Sequence, residues 1–142
     1  MKTKFYFFLI VLSFLLNSCN HKNKEIDLEQ LNGYWEIETV ETTDQKVRQY
    51  NINTTVEYFY LDSNFKGYRK KATADISGKY RSNNRKDSIT IKDEDGVFFL
   101  KTNTQIHSQK EKILELTQEK LLLENETGNK YFYKRHQKLD FN

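Results

Sequence analysis

The sequence predicts an all-β fold, an antiparallel up-and-down β-barrel of about 8–9 strands behind a short helical turn, and three observations carry that expectation. From Tyr34 onward, apolar and polar residues alternate in short runs, the period of a strand with one buried face. The runs are separated by polar clusters such as Asp62-Ser63-Asn64 and Glu126-Thr127-Gly128-Asn129, which favour turns. The chain is also rich in strand-forming aromatics, with 9 Tyr, 10 Phe and 1 Trp in 142 residues, and it contains no Pro. A meander of this kind protects its edge strands by closing on itself.

Residues 1–18 stand apart. Lys2 and Lys4 precede an apolar run from Phe5 to Leu16, too short for a bilayer-spanning helix of about 20 residues but suited to a secretory signal peptide. Leu16-Asn17-Ser18-Cys19 resembles the lipobox of bacterial lipoproteins, with Asn17 departing from the usual small or aliphatic residue. The resemblance implies cleavage after Ser18, a diacylglyceryl group on the Cys19 sulfur and a fatty-acylated amino terminus such as a palmitoyl group. It would place the protein in the cell envelope, lipid-anchored at the outer membrane. Several acyl chains together anchor stably where one is marginal. Loss of Lys2 and Lys4 with this segment lowers the net charge from +3 to +1, so the basic pI of 8.8 belongs partly to the signal.

Residues 19–26 read as a polar tether, 27–137 as one barrel domain and 138–142 as a tail. No cysteine follows Cys19, which leaves neither a disulfide framework nor a thiolate metal site. Asp27, three residues ahead of Gln30, predicts the capped start of the helical turn, with Leu28 and Leu31 on one side of it. Gly33 then lets the chain bend into the first strand, where Trp35, Ile37 and Thr39 share a face. The other predicted strands are Thr54–Leu61, Phe65–Lys71, Asp75–Ser82, Ser88–Lys92, Val97–Thr102, Lys112–Leu116, Leu121–Asn125 and Lys130–Arg135. Residues 108–123 are also rich in helix formers, so a helix competes there with a hairpin turning at Thr117–Lys120; the hairpin is favoured.

Gly33-Tyr34-Trp35 resembles the Gly-x-Trp that opens the first strand of lipocalins. Phe59-Tyr60-Leu61-Asp62 resembles the Phe-x-x-Asp of small bacterial lipocalin-like lipoproteins, and Ile113–Thr117, Leu121–Leu123 and Tyr131–Arg135 are similar to their closing strands. The likeness spans roughly residues 27–136. It implies a non-enzymatic barrel that binds a small apolar ligand inside or at its mouth.

The residues themselves offer little chemistry. His21, His107 and His136 are dispersed, and no nucleophile, zinc or phosphate-loop motif occurs, so the expectation is no catalytic residue, no metal and no cofactor. Asp93-Glu94-Asp95 reads as an acidic hairpin turn rather than a calcium loop. Trp35, Phe59 and Phe99 are the candidate cavity residues, although a barrel of this size is as readily filled by side chains as hollow.

Charge is unevenly distributed along the chain. Lys66, Arg69, Lys70, Lys71, Lys79 and Arg81, continued by Arg85 and Lys86, face a single acid, Asp75, over the same stretch. On paired strands they would form one basic patch for an acidic protein or another anionic envelope component. The rival function is therefore a protein-binding lipoprotein of the inhibitor or immunity type. Ile76-Ser77-Gly78-Lys79-Tyr80 superficially resembles the Ser-Gly-x-x-Tyr of periplasmic lysozyme inhibitors, but its tyrosine comes one residue early and so falls on the opposite face. Export argues against a nucleic-acid partner.

Overall fold

The computed structural model describes residues 26–51, 53–77, 79–82 and 85–137. The predicted signal peptide (1–18), tether residues 19–25 with Cys19, and the tail (138–142) lie outside the described residues. A 3₁₀ turn, Leu28–Leu31, is followed by β1 (Gly33–Glu41), β2 (Val47–Gln49), β3 (Thr55–Leu61), β4 (Lys66–Ala74) and β5 (Tyr80–Ser82). Next come β6 (Asp87–Glu94), β7 (Val97–Asn103), β8 (Ser108–Leu116), β9 (Lys120–Asn125) and β10 (Lys130–Arg135). All pairings are antiparallel. Eight strands, β1, β3, β4, β6, β7, β8, β9 and β10, close into a barrel through the β10–β1 pair, while β2 adds to β1 and β5 to β4.

Short polar side chains make the turns, as expected. Asp62 Oδ1 accepts from the backbone N–H of Asn64 and Lys66, at 2.8 and 3.0 Å, and Asn125 Oδ1 does the same for Thr127 and Asn129. Asp95 and Gly96, both at positive φ, form the two-residue link between β6 and β7. Residues 108–123 are the favoured hairpin, β8 and β9, joined through Thr117, whose Oγ1 accepts from Glu119 and Lys120 N–H.

Two strand expectations change. Asp75–Ser82 is not a barrel strand: Asp75 Oδ1 accepts from the N–H of Ser77 and Lys79, which turns the chain, and only Tyr80–Ser82 pairs, with Ala72–Ala74. β4 meanwhile pairs β6 only from Lys66 to Arg69. β2 has no counterpart among the predicted strands; all three of its residues are exposed, so it lacks the alternation that marks a strand in sequence.

The 3₁₀ turn closes one end of the barrel. Leu28 and Leu31 are buried beneath Trp35, Phe59, Ile89, Leu100, Leu121 and Leu123. Asp27 caps the turn as predicted, accepting from Glu29 N–H at 3.1 Å. Ile26, assigned from sequence to the tether, packs partly buried against this core. Arg135 lies directly across the β1–β10 pair from Trp35. Its guanidinium sits 3.8 Å from the indole centroid and donates to the carbonyls of Asn32, Gln30 and Gln118. Asn32 meanwhile bonds both backbone groups of Leu61, tying the turn to β3.

Gly67 shows how tightly β3 and β4 approach, because a Cβ there would stand 1.8 Å from the Tyr60 carbonyl oxygen. That oxygen belongs to the paired backbone and cannot rotate away. Gly67→Ala is therefore expected to lower stability by roughly 3 kcal/mol, the upper end for overpacking, and a urea-melt midpoint within error of wild type would contradict the placement.

Candidate functional site

The barrel interior has two chemically different halves. The closed half is apolar. The other half holds an ion cluster on inward-facing positions of four strands: Glu57 on β3, Arg69 on β4, Thr102 on β7 and Glu111 on β8. Arg69 Nη2 lies 2.5 Å from Glu57 Oε2, and its Nη1 lies 3.1 Å from Glu111 Oε2 and 3.5 Å from Thr102 Oγ1. Burial disfavours the Arg69 charge, but the acidic groups around it, Glu57 foremost and Glu111 with it, together more than compensate and raise its pKa. For Glu111 burial wins over the attraction of Arg69, and its pKa is raised. The Tyr133 hydroxyl is pushed well up by burial and by the charge of Glu57. One cation thus faces two carboxylates, all three largely buried.

Among the candidate cavity residues, Trp35 and Phe59 are fully buried within the packed core. Trp35 Nε1 donates to the Leu31 carbonyl at 2.8 Å, which satisfies its one polar atom. Phe99 requires a correction. Phe98, Leu100 and Thr102 take the inward positions of β7, and Phe99 stands on the outer face with the Lys110 ammonium 4.0 Å from its ring centroid. The adjacent pair Phe98-Phe99 leaves the phase of the strand ambiguous in sequence, and one residue of phase exchanges inside for outside.

The candidate basic patch is divided by the same period. Arg69 is interior and ion-paired, a second correction. Lys66, Lys71, Lys79 and Arg81 are exposed, and Lys70 on the outer face carries its ammonium 5.3 Å from the Tyr58 ring centroid. That outer face bears a run of tyrosines. Tyr34 stacks on Tyr80 at 4.2 Å, Tyr34 meets Tyr58 at 4.7 Å, Tyr58 meets Tyr68 at 6.1 Å and Tyr68 stacks on Tyr60 at 5.4 Å. The Tyr80 contact joins β5 to Tyr34 of β1. At its edge His136 and Lys134 both bond Glu36 at 2.9 Å; burial raises the Glu36 pKa, but these bonds prevail and lower it.

Hollows lie at both ends of the barrel. At the closed end a cavity of about 700 Å³ is lined by Ile26, Leu28, Phe65, Ile91 and Phe98, with Asp27, Glu29 and Asp93 at its polar margin. Phe65 is 44% exposed and has φ +58°, an unfavourable conformation for a bulky side chain. At the open end, a hollow of about 310 Å³ lies where β4 leaves β6. Its lining is basic, whereas the hollows of the closed end are edged by Asp27, Glu29, Asp93, Glu115 and Glu119.

No family model matches the chain, and no curated protein matches it. A solved structure is similar. It is a lipocalin-like protein from Bacteroides uniformis ATCC 8492, with 13% identity and a TM-score of 0.49, covering 75% of this chain and 99% of that one. Similarity at this level says nothing about ligand or activity, and the closed eight-strand barrel rests on the strand pairings themselves. Among the described residues, no group of three or more His, Cys, Asp or Glu is placed to hold a metal ion.

Proposed function

We propose that the protein is a non-enzymatic, membrane-anchored binding module that takes a small apolar ligand in the hollow at the closed end of its barrel. The observation that carries this reading is Phe65. A phenylalanine is held at positive φ in a turn, where Asn or Gly would be relaxed, and its ring is exposed at the rim of an apolar cavity of about 700 Å³. Cavities of this size and lining are typical of small-molecule sites. The acidic margin favours neutral or cationic ligands over fatty acids. Anchoring through lipidated Cys19 remains the reading of the lipobox, and a Cys19→Ala chain recovered in the soluble fraction is its expected signature.

A neutral fluorophore such as N-phenyl-1-naphthylamine is expected to bind saturably, with a dissociation constant in the tens of micromolar, corresponding to roughly −6 kcal/mol. Phe65→Asn relieves the backbone and leaves stability equal or higher, but removes ring contacts and weakens the probe about fivefold. Non-saturable fluorescence, or an affinity indifferent to Phe65→Asn, would defeat the assignment.

A second reading rests on the outer tyrosine run flanked by Lys70 and Lys86, the latter 4.3 Å from the Tyr68 ring centroid. Amphipathic rings beside cations suit a protein partner with an acidic surface. Binding that is lost in Tyr60→Ser and Lys70→Glu, yet retained in Phe65→Asn, would favour it.

A further inference from the structure

We infer that the ligand of the closed-end hollow is a lipophilic cation, a protonated amine carried on an apolar body. The inference rests on the apolar-ligand reading of this hollow and goes further by fixing the charge that the ligand bears. Its basis is the phase of the strands around the site. Ile91, Asp93 and Phe98 take inward positions on β6 and β7, with Asp93 paired directly to Phe98, so a carboxylate stands beside a ring on the same face. The same alternation turns the neighbouring Lys66 and Lys92, both exposed, to the outer face. Ile91 N–H donates to the Phe65 carbonyl at 2.9 Å, which brings the second ring to this edge. On the facing side Leu28 lines the hollow between Asp27 and Glu29.

The lining therefore holds two phenylalanine rings, three aliphatic side chains and three carboxylates, with no Lys, Arg or His. Nearby cations are engaged elsewhere: Arg135 with the carbonyls of Gln30, Asn32 and Gln118, and Lys110 with Glu94 at 2.6 Å. Among the described residues, no basic side chain forms an ion pair with Asp27, Glu29 or Asp93. Asp27 accepts from Glu29 N–H and the Gln30 amide, and Asp93 accepts from Gly96 N–H at 2.8 Å. These donors are neutral and leave the negative charge uncompensated. An apolar body entering the hollow gains from burial whatever charge it carries. Its polar end, at the rim, is then sorted by sign: the carboxylates repel an anion and attract an ammonium, which the faces of Phe65 and Phe98 attract as well. The acids are spread around the rim, with no group of three among the described residues placed to hold a metal ion, an arrangement suited to one organic cation.

The test titrates the full chain calorimetrically in a non-ionic detergent at pH 7, against a detergent blank, with three ligands that share one apolar body: 4-phenylbutylamine, 4-phenylbutanol and 4-phenylbutyrate. The amine is expected to bind about fivefold tighter than the alcohol and the acid most weakly, with the advantage of the amine shrinking as sodium chloride is raised. The Glu29→Gln, Asp93→Asn double variant keeps side-chain shape and the acceptor for Gly96 N–H, so its melting temperature and its affinity for the alcohol should match wild type while the preference for the amine falls to about twofold or less. Asp27 is left in place because it caps the turn. No binding of any of the three ligands would remove the hollow as a ligand site and this inference with it. An alcohol that binds as tightly as the amine, or a preference for the amine that survives in the double variant, would overturn this inference alone.

Discussion

Replacing Arg69 with Met is expected to destabilise the barrel by about 3 kcal/mol at pH 7, the lower end for removing one partner of a buried ion cluster, because the cluster retains an edge to solvent. The loss does not come from the missing attraction alone. Glu57 and Glu111 would remain charged, close together and without a cation, inside a barrel whose other contents are apolar. The sign of the pH dependence follows. A carboxyl whose pKa is higher folded than unfolded favours the folded state while protonated, and that benefit is lost as pH rises through the folded value. Glu111 is already raised in the native protein, by burial first and by Glu57 in addition, and removing Arg69 raises it further. The deficit of the variant should therefore be smaller at pH 5 than at pH 7, because lowering the pH favours protonation of the raised carboxyl. Urea-melt midpoints of both proteins at the two pH values measure this. An equal deficit at both would mean that the carboxylates are not confined as the distances indicate. Adding Glu57→Leu to Arg69→Met is expected to recover part of the loss at pH 7, since one charge is then gone with its partner.

The second large effect is at the closed end. Trp35→Ala is expected to cost about 3–5 kcal/mol, as for other large buried aromatics. Such a loss would bring a domain with the usual 5–15 kcal/mol close to unfolding. The indole is fully buried, supports Leu31 through its N–H and underlies the Arg135 guanidinium. Arg135→Ala should therefore cost much less in the Trp35→Phe background than in wild type. A coupling of about 1 kcal/mol is expected from stacking plus the shared floor of the barrel. Strict additivity in that double-mutant cycle would mean that Arg135 acts only through the carbonyls of Gln30, Asn32 and Gln118.

Much of the architecture could be read locally because local chemistry dictates it. Asp62, Thr117 and Asn125 each cap the turn they begin, and those side-chain bonds lie within four residues. The strand period, the Asp27 cap and the tryptophan beside Gly33 likewise depend on near neighbours. Asp75 offered the same signal and went unread: in sequence it stands at the start of a predicted strand, whereas its carboxylate turns the chain.

What the sequence by itself determined is the kind of barrel: alternating aromatic strands, polar turns, a capped plug and a buried indole. Only the tertiary structure decided what each face meets. Arg69 stands amid basic residues in sequence, but its carboxylates come from Glu57, 12 residues away, and Glu111, 42 residues away, which closure of the sheet brings across the interior. The hollow at the open end depends in the same way on β4 exchanging β6 for β5, an event with no local mark. Side-chain phase along a strand is a short-range property, whereas the identity of the opposing wall is set by a ring of pairings that spans the whole chain.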